Sequence, residues 1–522
     1  MKKNIFLILV LFFVISIPSV LGFAGGNGSV EAPFEISTCE ELQSMNNLFE
    51  SIGNYGWAEQ DVWAIDKHLV LVNDIDCSDT VNWNNGTGFK PISAYGLVGM
   101  RYGFIGVLDG RGHSINDLFI FHDKDNEDLG PALFTEMSAG EIKNLHLNNL
   151  TIISYSNSAA GLVGFINNNI NFWSISGYEY IPLVIDNVSV TGSITIPEDT
   201  EEQFYMVGGL IASFEKYAGG GGEQVYVFPY VLSNSWTDVD INVYCYNKHG
   251  FPCYNVGGLV GSIGSDFDDQ VIVKESYALG NINITGNNDM DGVGGLVGTM
   301  FGGKIQDSFA RGNLFVDTSG EVIAVGGLAG GIGPGGIQPV IIRSYATGKV
   351  IADTIHKDSF VGQLYDYAPN EAVLENNFFD SDTSGFNSGR AFGLKTAAMK
   401  SGKPFLDAGW DFVNVWGIHP SVNEGYPNLE TTGIVVAPDA PPRGGGGGWP
   451  QDEEVEEEVV LAPSPEGGAP LFALFGEQGD FVEWWNDLPW TKHLVWLFLV
   501  LLFLWLLSQQ QKKKKQKTGK RK

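Results

Sequence analysis

The stretch VGGLVGTM, residues 293–300, sets three glycines among residues that would otherwise read as a buried strand. Glycine inside a strand costs backbone entropy and packs no side chain, so its use here needs a reason. The stretch recurs. GLVGF begins at Gly161, VGGLIAS at Val207, VGGLVGS at Val256, VGGLAGG at Val325, and a worn copy, FVGQLY, at Phe360. Aligning Leu162, Leu210, Leu259, Leu296, Leu328 and Leu364 gives intervals of 48, 49, 37, 32 and 36 residues, a spacing that signals stacked repeats. A second motif runs between the copies: ESYALGNINITG from Glu275, DSFARGNLFV from Asp307, RSYATGKVIA from Arg343, and the looser SNSWTDVDINV from Ser233. Its aromatics Trp236, Tyr277, Phe309 and Tyr345 keep similar spacing. Two short apolar motifs in fixed order describe one supersecondary unit used repeatedly.

Runs such as NINIT and GSITI alternate apolar and polar residues over four to six positions, the pattern of half-buried strands. The spacing predicts two or three short strands per unit, stacked in parallel so that neighbouring units bury a common core. The glycines then have two available roles. They can turn corners at positive φ, or they can let neighbouring coils approach closely. The longer intervals predict insertions at NNNINFWSISGYEYI and FEKYAGGGGEQVYVF, with Trp173, Tyr178, Tyr180, Tyr226 and Phe228 as candidate carbohydrate or protein contacts.

The chain has 522 residues, 68 of them glycine, and a net charge of −31. The two ends are basic: Lys2 and Lys3 at one, and eight Lys or Arg from Lys512 to Lys522 at the other, with no acid in either segment. The section between holds 20 basic against 61 acidic residues, a formal charge of −41. That field repels phosphate backbones and excludes nucleic acid as a partner. Residues 1–22 have the basic start, apolar run and small-residue end of a secretory signal. Leu494 to Leu507, followed by the basic tail, predicts a single C-terminal transmembrane helix over 488–511 with a cytoplasmic tail at 512–522. LPWTK at Leu488 is similar to a sortase sorting signal, with Lys492 where the final glycine would stand. The Pro, Gly and acidic residues of 431–487 cannot form a packed core and predict an extended spacer.

The VGGLVG and SYATG units resemble GLUG repeats of bacterial and archaeal surface proteins, and the likeness runs over about residues 30–430. APFEISTCEELQSM from Ala32 and FIGVLDGRGHSINDLFI from Phe104 resemble the opening coils that accompany such repeats. GYPNLE from Gly425 resembles their closing segment. The resemblance implies an all-β, right-handed parallel β-helix. It would comprise an N-terminal cap and first coils at 23–120, repeats at 121–370 and a closing segment at 371–430. It implies a cell surface and no particular reaction.

No HExxH, GxSxG, P-loop or CxxC motif is present, and no enzyme class is expected. His113 in DGRGHSI invites comparison with pectin-cleaving β-helices, but reads as a turn histidine. DSDTSG places Asp380 and Asp382 ahead of Gly385, and NNDMDG places Asn287, Asp289 and Asp291 ahead of Gly292. Alternate oxygens before a glycine resemble the start of a calcium loop, but Ala391 and Gly298 stand where a bidentate Glu is expected. These are weak metal candidates, and no cofactor is expected. Cys39, Cys77, Cys245 and Cys253 allow three disulfide pairings, and nearness favours Cys39–Cys77 with Cys245–Cys253. Asn27, Asn85, Asn149, Asn187 and Asn283 head Asn-X-Ser/Thr sequons and are glycosylation candidates. The expectation is a membrane-anchored extracellular solenoid for surface adhesion or structure, meeting surface glycans or proteins. The alternatives are a polysaccharide-acting β-helix enzyme and a calcium-dependent scaffold or receptor.

Overall fold

The computed structural model describes residues 22–429, apart from 56–59, 94–99, 124–129, 157, 167–181, 199–205, 217–229, 247–251, 266–270, 334–337, 366–371 and 388. Residues 1–21, the acidic spacer, the apolar segment bounded by Leu494 and Leu507, and the basic tail lie outside the described residues. So do Trp173, Tyr178, Tyr180, Tyr226 and Phe228. Among the described residues no helix is long and apolar enough to cross a membrane.

The described strands form three sheets of 22, 10 and 6 strands, and from Ser158 onward each coil visits the short, the middle and the long sheet in turn. One coil runs through Met290–Gly294, Val297–Phe301, Lys304–Gln306, Phe309–Ala310 and Leu314–Thr318. The next lies parallel on it in register, with Val293 opposite Val325, Val297 opposite Ala329, Ile305 opposite Ile341 and Leu314 opposite Val350. Antiparallel pairing enters near the N-terminus, where Glu50–Tyr55 meets Gln60–Ile65. Inserted segments leave this register intact: Val163–Ile166 and Ile211–Lys216 pair in parallel although 167–181 intervenes.

Leu162, Leu210, Leu259, Leu296 and Leu328 form one fully buried column. Each of the middle three donates its N–H to the next leucine's carbonyl, at 2.9, 2.9 and 2.8 Å. The sixth member is not Leu364. Leu328 donates to Phe360, at 2.8 Å, and Leu364 pairs with Ile332. The register sets Lys357 and Asp358 opposite Val325 and Gly326, so the worn copy has lost its glycines and its apolar knob sits four residues earlier than the alignment places it.

Of the two roles open to the motif glycines, close approach is the one used. None of Gly257, Gly258, Gly294 and Gly295 has positive φ. A Cβ on Gly295 would fall 2.2 Å from the carbonyl oxygen of Gly327 and 2.9 Å from the Cβ of Ala310. Gly258 stands in the same relation to Gly295 and Ala278. The second glycine of VGGL therefore faces the alanine of the SYA motif across the coil interior. The two sequence motifs are the two sides of one tight contact.

At the N-terminal end, Thr38 accepts the N–H of Glu41 and caps helix Cys39–Gln43, while the Glu41 carboxylate accepts the N–H of Ser37 at 2.6 Å. This reciprocal arrangement fixes a short helix that would be marginal alone. Its Cys39 and Leu42 are buried in the coil core, and Cys39 is disulfide-bonded to Cys77. Cys245 and Cys253 form the second disulfide. The closing segment folds as helices Thr396–Met399 and Lys403–Asp407 followed by loops. It packs sideways on the long sheet as well as following the last coil. Met399, Phe405, Trp410, Trp416 and Tyr426 share a second core with Phe309, Tyr345 and Phe378.

Candidate functional site: the outward face of the long sheet

Corners of the long sheet are turned by a column of non-glycine residues in the left-handed region: Asn144, Asn187, Asn234, Glu275, Asp307, Arg343 and Asn376, with φ between 47° and 55°. Asparagine tolerates this region because its short side chain bonds locally; Glu275 and Arg343 occupy it under the constraint of the stacked coils. The next residue points inward. Ser276 and Ser308 donate Oγ–H to the carbonyls of Lys274 and Gln306, at 2.7 and 2.8 Å. Each Oγ also accepts an N–H from the preceding coil, at 3.2 Å from Ser235 and 3.3 Å from Ser276. The ladder runs from Val188 to Ser344, which donates to the carboxamide of Asn377 at 3.0 Å. Buried backbone groups need such partners, and the serine of SYA supplies them at a corner where the sheet ladder is interrupted.

The following aromatic points outward. Trp236, Tyr277, Phe309 and Tyr345 stack face to face, with centroids 5.7, 4.5 and 4.9 Å apart and interplanar angles of 2°, 4° and 6°. The closing segment covers one end of this stack. Asp307, buried, accepts Arg343 Nε and Nη2 at 2.7 and 2.6 Å and Trp416 Nε1 at 3.1 Å. Arg311 donates to Asn423 at 2.6 Å and pairs with Glu424 at 2.8 Å. Tyr345 donates to the carbonyl of Pro427 at 2.6 Å, and burial pushes its hydroxyl pKa far up. At the other end the stack emerges. Tyr277 is half-buried at the margin of the second core, and Trp236 stands half-buried beyond it.

Beside the aromatics lies a polar ladder. Asn281 takes its position from Asp240, Asn313 from Asn281, and Lys349 donates its N–H to Asn313 at 3.0 Å. The next outward column reads Asn242, Asn283, Phe315 and Ile351 in strand register. Phe315 and Ile351 expose 40% and 41% of their surface. The sequence carries a signal for this patch, because Phe315 and Ile351 fall on the polar phase of their strands.

His113 Nδ1 lies 3.2 Å from Asp74 Oδ1, across adjacent coils and half-exposed. Bonds from the N–H of Ser114 and from His113 hold the Asp74 carboxyl below its usual range. The DSDTSG and NNDMDG oxygens do not converge. One oxygen of buried Asp380 accepts the N–H groups of Asp382 and Thr383, at 2.8 and 3.3 Å. The other accepts the hydroxyls of Thr396 and Tyr426, both at 2.7 Å. This carboxylate ties the closing segment to the last coil. Asp382 is exposed and is held low by Lys395. Asp289 accepts the N–H of Glu321 at 2.7 Å, and Asn287 donates its backbone N–H to Cys245 at 3.0 Å. Asp291 accepts the Tyr365 hydroxyl, and burial raises its pKa in spite of that bond. Among the described residues no group of three or more acids, histidines or cysteines is placed to hold a metal. Asn27, Asn85, Asn149, Asn187 and Asn283 are all exposed.

No protein-family model matches the chain. Over 193 residues, 36% of the chain, it is 31% identical to halomucin of Haloquadratum walsbyi. Over 162 residues, 30% of the chain, it is 29% identical to a candidate Gly-rich membrane protein of Evansella cellulosilytica. The chain is distantly related to both, and the matches span 2% and 13% of those proteins' lengths. Among solved structures, a candidate immunoglobulin A1 protease from Bacteroides ovatus aligns with a TM-score of 0.44 and 17% identity, covering 78% of this chain and 95% of that one.

Proposed function

We propose that this protein is a cell-surface solenoid of the GLUG-like kind, extracellular along its coils and held to the membrane by its C-terminal segment. It acts in adhesion or as a structural surface element. The observation that carries this reading is the outward face of the long sheet, where aromatic and asparagine side chains, Trp236 with Tyr277 and Asn242 with Asn283, recur on consecutive coils one strand spacing apart. A face built this way offers many equivalent weak contacts, and weak contacts on one rigid support add to strong attachment. The two disulfides fit an oxidising compartment, and one relative is described as a membrane protein. Surface glycans or proteins are the partners such a face would meet.

The test displays the full chain on cells and measures attachment to a glycan array and to other cells, with and without calcium, beside a polysaccharide-depolymerisation assay. Attachment that falls when Trp236 and Tyr277 are both changed to alanine supports the reading. The second reading, a polysaccharide-acting enzyme, draws on the His113–Asp74 pair. Depolymerisation abolished by D74N would replace adhesion with catalysis. Attachment that requires calcium would favour the scaffold or receptor reading.

A further inference from the structure

The outward column Asn242, Asn283, Phe315, Ile351 combines three features. Asn283 is exposed on an extended strand, Ile282–Gly286, and its carboxamide makes no hydrogen bond among the described residues. Thr285, two residues on, points to the same side of the strand, as period-two alternation requires. Phe315, directly beside Asn283 on the next coil, and Ile351, one coil further, leave a large apolar surface open on an otherwise polar face.

The other four sequons differ. The carboxamides of Asn149 and Asn187, in left-handed turns, already donate to Asp117 at 2.5 Å and to Asn144 at 2.9 Å. Ser189, which completes the Asn187 sequon, is buried against His146. Asn27 accepts the N–H of Ser29, a residue of its own sequon, at 3.0 Å. Asn85 is exposed, but it lies in a left-handed turn with no apolar strand neighbour.

We infer that Asn283 is an N-glycosylation site and that its first sugar packs its apolar face on Phe315, with Ile351 continuing the floor. Adjacent strands lie ~4.8 Å apart, which places a ring linked to Asn283 over its neighbour's aromatic ring. In the transfer, Asn283 Nδ2 forms a bond to the anomeric carbon of an activated glycosyl phosphate. The carbon–oxygen bond to phosphate breaks, the phosphate leaves with the bonding electrons, and the amide proton passes to a base of the transferase. The glycan covers the apolar surface that the fold leaves open, and the stabilisation requires Phe315.

The full chain is expressed in a host that glycosylates secreted Asn-X-Ser/Thr reporters. Cleavage after Lys274 and Lys304 releases a peptide in which Asn283 heads the only sequon. Mass spectrometry is expected to find a glycan on that peptide, present in T285S and absent in T285V and N283Q. Glycosylated protein is expected to unfold at higher urea than enzymatically deglycosylated protein, and F315A, which removes the ring without creating a new sequon at Asn313, is expected to remove that difference while keeping the glycan. An unmodified Asn283 peptide would overturn the assignment. A glycan whose effect on the urea midpoint is the same in F315A would overturn the packing.

Discussion

Changing Gly295 to alanine adds one methyl group where the coil has no room for it. The new Cβ would lie 2.2 Å from the Gly327 carbonyl oxygen of the next coil and 2.9 Å from the Ala310 Cβ of its own coil. The first contact is with backbone in a ladder that Gly295 itself helps build, since its N–H donates to the Gly326 carbonyl at 3.2 Å. Relief therefore requires coils to separate, and overpacking of this kind costs about 3 kcal/mol or more. The side-chain contact alone is small, so A310G in the same chain should recover only a minor part of the loss. Gly385→Ala is the matched control. That glycine has φ of +89° and nothing within 4 Å of an added Cβ, so its cost is the left-handed backbone alone, roughly 1 to 2 kcal/mol. Urea unfolding followed by fluorescence of the buried Trp410 and Trp416 reads all four proteins. A G295A midpoint equal to that of the control, or full recovery by A310G, would refute the account of why the motif contains glycine.

Ser308→Ala should remove about 2 kcal/mol, because it leaves the buried N–H of Ser276 without its acceptor; hydrogen exchange should show the loss first at that amide. Asp291→Asn should stabilise the protein at neutral pH. Burial raises the folded-state pKa of Asp291 above its unfolded value, so wild-type stability is fullest below the unfolded pKa and falls as pH rises through the folded one. The variant keeps an acceptor for Tyr365, and its advantage should vanish below about pH 3.5. Removing Cys39–Cys77, which closes a separation of 38 residues, should cost about 4 kcal/mol, and removing Cys245–Cys253, with a separation of 8, about 2.6 kcal/mol; paired Cys→Ser variants compared by thermal unfolding check the order.

The repeat, its strand character and the interior leucines were legible because each rests on short-range pattern. VGGL and SYA recur at near-constant offsets, so a reader of the chain can place Leu259 over Leu296 without knowing the fold. Phe360 was misplaced because the glycines that mark the register are replaced by Asp358 and Ser359, and only strand pairing restores the count. The role of the glycines was open because it depends on what stands across the coil, Ala310 against Gly295, and not on either motif alone. The sideways docking of the closing segment was hidden for the same reason. Trp416 reaches Asp307 over a separation of 109 residues. Asp380 shows alternating oxygens in the sequence, but the Thr396 and Tyr426 hydroxyls that occupy its carboxylate come from later in the chain.

The serine ladder has a direction. Every rung receives an N–H from the coil before and gives its own to the coil after, so neither end of the row matches the other. Val188 opens it with a bare N–H and no oxygen to offer. Asn377 ends it with a carboxamide that both accepts from Ser344 and donates to Ile341, at 3.0 and 2.8 Å. Between those two terminators the rungs are interchangeable. A duplicate of the 32 residues from Ser276 to Asp307, spliced in after Asp307, would find a donor waiting at one seam and an acceptor at the other. Length is therefore a free variable of this architecture: the middle can grow or shrink by whole coils while both ends keep the same chemistry.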